Sequence, residues 1–279
     1  MILNGDVNNM LDNIESYTVQ TCITSPPYWN LRDYNNDKQL GMEDTPEEFA
    51  DSLVKVFSKL KRVLKKDGTF WLNLGDTYFG AKGGHWDGSN SVTNNETGSN
   101  YRIHKKAPPK HKYLKTKDLV GIPWMVAVRM QQDGWYLRND IIWNKPNPMP
   151  EAVKDRCVKS HEHMFLFAHP ESKGKYYFNH EAIQEPSVDS ENEKKNKSDV
   201  WTINTSSFKG AHFAVFPRKL IAPCILASTK ENDIVLDTFA GSGTTCKLAQ
   251  ELGRKWIGIE LNPDYAKIIK EQTQQQSLF

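Results

Sequence analysis

Three things are scarce in this chain, and each shortage removes a class of answers. Cysteine is sparse: Cys22, Cys157, Cys224 and Cys246 stand apart with no C-x-x-C spacing, which argues against a zinc ribbon or a disulfide framework. Long apolar runs are missing, and no stretch approaches the ~18–20 residues that cross a bilayer. The first residues also lack the basic-then-apolar pattern of a secretory signal, so a cytoplasmic protein with no membrane partner is expected. Net charge is almost absent, at +2 for 279 residues, so the chain as a whole is not a polycation.

What is present is a core and a local concentration of charge. At 38% hydrophobic residues, a chain this long can bury a core, and its length fits one large domain spanning 1–279 or one domain with a small appendage. Residues 80–117 hold Lys82, Arg102, Lys105, Lys106, Lys110, Lys112, Lys115 and Lys117 against only Asp87 and Glu96. His85, His104, His111, Trp86, Tyr101 and Tyr113 are interleaved with them. Basic residues among aromatics suit phosphate contact; a solvated insertion is the plain alternative. From residue 80 to about 111 there is no periodicity, as in a surface insertion.

Two stretches carry the chemistry. The first, Val19 to Tyr34, reads VQTCITSPPYWNLRDY. A short apolar run stops at Ser25-Pro26-Pro27-Tyr28-Trp29, the pattern of a buried strand emptying into a loop. Adjacent prolines have fixed φ and no N–H, so this loop is stiff and presents carbonyls. A hydroxyl, rigid acceptors and flat rings could hold a planar, amine-bearing ligand such as a nucleobase. A Pro-rich turn with Tyr28 and Trp29 packed as ordinary core would read the same way.

The second stretch, Asp233 to Thr245, reads DIVLDTFAGSGTT, and CKLAQELGRKWIGIEL follows it. It predicts a strand (Ile234 to Leu236), a tight glycine turn, a helix from Thr244, and a second strand ending at Glu260. Glycines let backbone approach a ligand, and an acid ending the next strand can bond ribose hydroxyls. It is no P-loop, because Lys247 is misplaced. It is a poor dinucleotide fingerprint, because Cys246 holds the third glycine position, which disfavours an oxidoreductase.

Together these motifs resemble the DNA amino-methyltransferases that use S-adenosylmethionine. T-S-P-P-Y-W is similar to that family's catalytic loop and D-T-F-A-G-S-G-T-T to its cofactor loop, with the order of the permuted group called class beta. The resemblance implies a Rossmann-like α/β/α fold, circularly permuted, with a mostly parallel seven-stranded sheet and an irregular DNA-recognition region. Its substrate would be double-stranded DNA, with a cognate restriction endonuclease as a possible partner and a monomeric or homodimeric state. It assigns the catalytic role to Ser25, Pro26, Pro27 and Tyr28. Cofactor contact falls to Asp6, Asp237, Phe239, Gly241, Ser242, Gly243, Thr244 and Glu260, and to Phe216 and Pro217 in the H-F-A-V-F-P run. Asp6 could equally cap a helix from Val7, and Phe216-Pro217 could equally open one. Trp29, Lys105, Lys106, Lys110 and Lys112 are the candidate DNA contacts, and residues 145–210 the candidate target-recognition region.

The rest of the chain fits that frame. Thr45-Pro46-Glu47-Glu48 starts a helix whose stripe runs from Phe49 through Leu53, Val56, Phe57, Leu60 and Val63 to Leu64. A strand follows from Thr69, and a helix returns from Leu119 to Gln132. Trp135 to Trp143 and His163 to His169 are β-rich runs; the resemblance implies that they form an antiparallel pair at one sheet edge, and that the S-H-E run between them is a structural element. Residues 212–218 should begin a helix. Cys157, His161 and His163 lack structural-zinc spacing, so no metal is expected.

An exocyclic amine is a weak nucleophile because its lone pair is delocalised into the ring. Acceptors on both protons can aim that lone pair at a methyl donor, through orientation and electrostatics alone. Ser25 and the Pro26 carbonyl would be those acceptors, with Tyr28 stacked on a flipped base. Cys22 lacks the Pro-Cys setting of carbon-5 methylation. Ser-Pro-Pro-Tyr resembles N4-cytosine enzymes, and N6-adenine is the alternative. A non-catalytic nucleic-acid-binding module is the alternative of another class, disfavoured by two intact loops.

Overall fold

The computed structural model describes residues 1–31, 38–80, 110–187, 193–208 and 211–274. β1 (Ile2–Asn4) leads into α1 (Val7–Asp12), where Asp6 Oδ1 accepts from the Asn8 and Asn9 N–H groups as helix cap. β2 (Val19–Thr24) is buried at every position, as expected of a strand covered on both faces. α2 (Pro46–Ser58) opens on a reciprocal capping box between Thr45 and Glu48. The stripe expected to reach Leu64 in one helix is cut at Lys59. A short α3 (Leu60–Val63) follows, and β3 (Leu64–Leu74) begins where the helix was expected to end. Leu64 pairs with Val19, and a register slip absorbs the next four residues before Thr69 pairs with Thr21. Sheet pairing and burial of Leu64 override the helical spacing.

α4 (Ile122–Gln132) starts after Leu119, which forms an isolated bridge to Tyr78. β4 (Tyr136–Asn144) and β5 (His161–Ala168) are the expected antiparallel pair. β6 (Glu185–Pro186) and β7 (Lys194–Lys195) form a small ribbon, and β8 (Val200–Thr202) joins the main sheet. β9 (Ser206–Phe208) and β10 (Ala211–Val215) pair with each other. The helix expected across 212–218 is therefore a strand up to Val215. α5 (Arg218–Ser228) starts only after Pro217, which stands extended as its N-cap. β11 (Ile234–Asp237), α6 (Thr244–Glu251), β12 (Lys255–Glu260) and α7 (Pro263–Gln274) complete the chain.

Among the described residues the central sheet has eight strands, in the order β1-β12-β11-β2-β3-β5-β4-β8. The first five run parallel, and β5 is antiparallel to both its neighbours. Seven strands match the expectation. The eighth, β8, adds parallel to the edge of β4, held by Trp201, which is buried beside Trp71. β1 lies against β12, and the Met1 ammonium donates to Trp256 O at 2.6 Å. The first strand thus borders the last, the layout of a permuted chain. One face carries α1, α2 and α4 over Cys22, Phe70, Leu72, Phe165 and Phe167; the other carries α5 and α6 over Ile23, Trp71, Ile141 and Val235.

This topology places a crevice. From β11 the chain crosses by α6 to β12 on one side; from β2 it crosses by α2 to β3 on the other. Adjacent strands that depart in opposite directions leave their carboxyl ends uncovered, where open α/β sheets bind ligands. Residues 145–210 are not one continuous unit, since β5 within them belongs to the central sheet.

Candidate active site

A cavity of about 720 Å³ opens at that crevice, and both motifs line it. Ser25, Pro26, Pro27 and Tyr28 form one wall. Asp237, Phe239, Gly241, Ser242, Thr244 and Glu260 form the other, with Asp6 and Phe216 at the rim. The Thr24 hydroxyl donates to Asp237 Oδ1 at 2.6 Å, joining the two motif-bearing strands directly. Asp237 Oδ1 also accepts from the Phe239 N–H at 3.1 Å. Burial raises the Asp237 pKa, and these bonds oppose the shift.

At one end Glu260 closes β12. Its Oε2 accepts from the Gly241 N–H at 2.7 Å and its Oε1 from the Asn262 N–H at 2.8 Å. Burial pushes its pKa up to about 7 against those two bonds, and the charge of Asp237 adds to the rise. Gly243 does a different job from the ligand contact expected of it. It is absent from the cavity wall; its φ is +83°, and a Cβ there would stand 2.6 Å from Ile269 Cγ1. It lets α6 and α7 approach. Pro217 is likewise buried as the α5 cap rather than lining the cavity, whereas Phe216 beside it does line it.

The other end contains residues that sequence reasoning missed. The Tyr28 hydroxyl donates to Glu162 Oε2 at 2.7 Å and approaches Asn73 Oδ1 at 3.3 Å. Asn73 donates its amide to His163 O at 3.1 Å, which orients it. Glu162 Oε1 accepts from the Lys145 ammonium, which lies 4.3 Å from the centre of the Trp143 ring. Asn73, Trp143, Lys145 and Glu162 all line the cavity. Enclosure of the hydroxyl, then the neighbouring Glu162 charge, push the Tyr28 phenol well above its ordinary pKa. Gly75 makes the arrangement possible, since a Cβ there would meet Tyr28 Cε2 at 2.7 Å. The only hint in the sequence was the S-H-E run, whose glutamate is Glu162.

Trp29 is a correction. Expected among the DNA contacts, it is 6% exposed, stacks on Phe79 at 6.5 Å and donates its indole N–H to Glu43 O at 2.9 Å. It supports the loop from within the core, held by the stack on Phe79 and the bond to Glu43 O. Lys105 and Lys106 lie outside the described residues. Lys110 and Lys112 are exposed, with Lys112 Nζ 5.6 Å from the Tyr113 ring. Two other lysines of the basic stretch are in ion pairs: Lys117 with Asp155 at 2.6 Å and Lys115 with Asp118 at 3.3 Å. Arg156 lies 3.9 Å over the Tyr78 ring and Lys159 donates to Asp76 O at 2.6 Å, so the segment after β4 docks beside Tyr78. Among the described residues no cluster of His, Cys, Asp and Glu could hold a metal ion. No helix there is long and apolar enough to cross a membrane.

The family model described as DNA methylase, of the N6/N4 methyltransferases, matches residues 19–271. The type II methyltransferase M.SmaI of Serratia marcescens is 47% identical over 272 residues, covering 97% of this chain and 89% of that protein. M.Cfr9I of Citrobacter freundii is 45% identical over 273 residues, covering 98% and 87%. Among solved structures, the PvuII DNA methyltransferase (cytosine-N4-specific) matches with a TM-score of 0.69 at 21% identity, over 97% of this chain and 85% of its own. The M1.HpyAVI–SAM complex matches with a TM-score of 0.57 at 20% identity, over 98% of each chain. At these identities the structural likeness speaks for the fold.

Proposed function

Because this chain belongs to the DNA methylase family of N6/N4 amino-methyltransferases, we propose that it methylates the exocyclic N4 of a cytosine flipped out of a specific duplex site. The observation that carries this reading is the shared cavity, in which Ser25-Pro26-Pro27-Tyr28 faces the wall ended by Glu260. An amine held at the first wall stands across from a donor held at the second.

The methyl donor of the family, S-adenosylmethionine, suits that second wall. Gly241 lines the cavity with nothing within 4 Å of where a side chain would begin, so its backbone can lie against a ligand. Glu260 offers a carboxylate to ribose hydroxyls, and Asp6 stands at the same end of the wall. When bound, the donor supplies an electrophilic methyl on sulfur. This chain's residues do the rest. Ser25 Oγ and the Pro26 carbonyl accept from the amine protons and turn the nitrogen lone pair towards the second wall. Tyr28 stacks on the flipped base and offsets part of the unstacking cost.

Cytosine is favoured over adenine by the serine that opens the loop, since Ser25-Pro26-Pro27-Tyr28 resembles the loop of N4-cytosine enzymes. As a relative of type II methyltransferases, the chain is proposed to protect its site from a partner endonuclease. Plasmid methylated by the purified protein, hydrolysed to nucleosides and analysed by mass spectrometry, should yield N4-methylcytosine. N6-methyladenine in its place would overturn the base assignment.

A further inference from the structure

We infer that Glu162 is a positioning residue for methyl transfer, which with Lys145 holds the Tyr28 phenol so that the ring is set before a base arrives. The inference rests on the stacking role proposed for Tyr28 and extends it to the residues behind the ring.

The two prolines fix the backbone of the catalytic loop, but they leave both side-chain torsions of Tyr28 free. A stacking platform must hold its orientation to within roughly 10–20° to be productive. Several contacts supply that restraint, hydrogen bonds with the Ser25 side chain and the Gly75 backbone among them. The ring edge lies against Gly75, where no side chain could fit. The hydroxyl approaches Asn73, and its shorter bond, 2.7 Å, is to Glu162. A hydroxyl bonded to a carboxylate is shorter and roughly twice as strong as a neutral pair, so Glu162 dominates the restraint.

Glu162 is itself fixed. Its side chain is 13% exposed, and that of Lys145, its ion-pair partner, is 16% exposed. A carboxylate so enclosed is costly unless it is paired and hydrogen-bonded. Here one oxygen takes the ammonium and the other takes the phenol. Lys145 in turn rests over Trp143. The chain of contacts from Tyr28 through Glu162 and Lys145 to Trp143 therefore ends in the buried core. A salt bridge serving stability alone would need no oxygen directed at the catalytic loop.

The test is single-turnover methyl transfer by the full chain to a duplex oligonucleotide, with Glu162→Ala, Glu162→Gln, Tyr28→Phe and the double variants. Tyr28→Phe and Glu162→Ala should each slow transfer by roughly 10–100-fold with calorimetric cofactor affinity unchanged. The double variant should be no slower than the slower single, because both remove the same bond. Glu162→Gln keeps an oxygen that can accept from the phenol and should recover part of the rate. With 2-aminopurine at the target position, Glu162→Ala should change the fluorescence of the flipped base at a temperature well below the variant's own melting transition, and Glu162→Gln should change it less.

Multiplicative penalties, a full-rate Glu162→Ala, or a rate loss that tracks lost cofactor affinity would each overturn the inference. If Glu162→Ala does not fold, the Glu162→Gln and Tyr28→Phe pair carries the same cycle. Coupling is measured on whichever base the wild type methylates, so a wrong base assignment and a failed positioning role give different results.

Discussion

Asp237, Gly241 and Glu260, at the end of the cavity proposed to hold the cofactor, come from one contiguous unit, β11–α6–β12. At the base end Tyr28, Asn73, Lys145 and Glu162 come from four separate stretches, brought together at the ends of β2, β3, β4 and β5. The first arrangement is local: a strand, a turn and a helix place the backbone N–H of Gly241 against the carboxylate of Glu260. The second depends on strand direction. Because β5 runs against β3 and β4, its amino end lies at the edge where their carboxyl ends open, and Glu162 arrives beside Tyr28. One end is therefore robust to changes elsewhere in the chain, while the other is sensitive to distant substitutions.

The largest expected effect separates the two ends outright. Tyr28→Ala should lower turnover on the order of 10²-fold and leave calorimetric cofactor affinity intact, because the ring faces the base side. A fully active variant would refute the stacking role, and a lost cofactor site would dissolve the distinction between the ends.

A smaller effect, of opposite kind, belongs to Glu260. Glu260→Ala should weaken cofactor binding by about 1–3 kcal/mol through the loss of charge-assisted bonds, with turnover near normal once cofactor saturates. The same residue predicts a pH dependence. Burial raises its pKa to about 7, so the free protein holds a neutral acid below that pH, whereas ribose hydroxyls bond best to the carboxylate. Affinity should therefore fall as pH drops through 7, approaching tenfold per pH unit, and the dependence should vanish in Glu260→Gln. Calorimetry from pH 6 to 8 measures it, and a flat wild-type profile would remove Glu260 from the binding set.

The smallest effect concerns the surface on which these ends are presented to DNA. Neutralising Lys105, Lys106, Lys110 and Lys112 together should weaken binding to all duplexes alike. The salt slope should fall by roughly 0.9 for each DNA phosphate that no longer has a lysine beside it. Substitutions within 145–210, outside the sheet strands β5 and β8 and sparing Lys145, should instead change which site is methylated, because base-edge contacts specify while phosphate contacts position. A changed methylated sequence in the lysine variant, with the salt slope unmoved, would reverse that division.

How much could be read in advance follows the same split. The β11–α6–β12 unit, the Glu260 terminus, the proline-marked start of α2 and the Ser-Pro-Pro-Tyr loop were legible because each is a short-range pattern: a period, a proline, a glycine turn. Three of the misses had a long-range cause; the fourth, the strand at 211–215, pairs with the neighbouring β9. Gly243 looked like a ligand glycine, yet its freedom from a side chain serves Ile269 on α7. Trp29 looked like a base contact until Phe79, from another crossover, came to stack on it. The helix expected through Leu64 gave way to pairing with Val19. The strand at 211–215 was hidden because its partner, β9, lies outside the helical pattern read there.

From its sequence alone, then, the two motifs behind the proposed chemistry were determined: a stiff acceptor loop and a glycine turn with a terminal acid, in permuted order, because backbone stiffness and strand ends are dictated by neighbouring residues. Only the tertiary structure decided what surrounds the target base. Asn73, Gly75 and Lys145 have no local signature, and the S-H-E run marks Glu162 without revealing what it touches. Their meeting at Tyr28 is set by the antiparallel reversal of β5 and by the close approach that a glycine at the end of β3 allows.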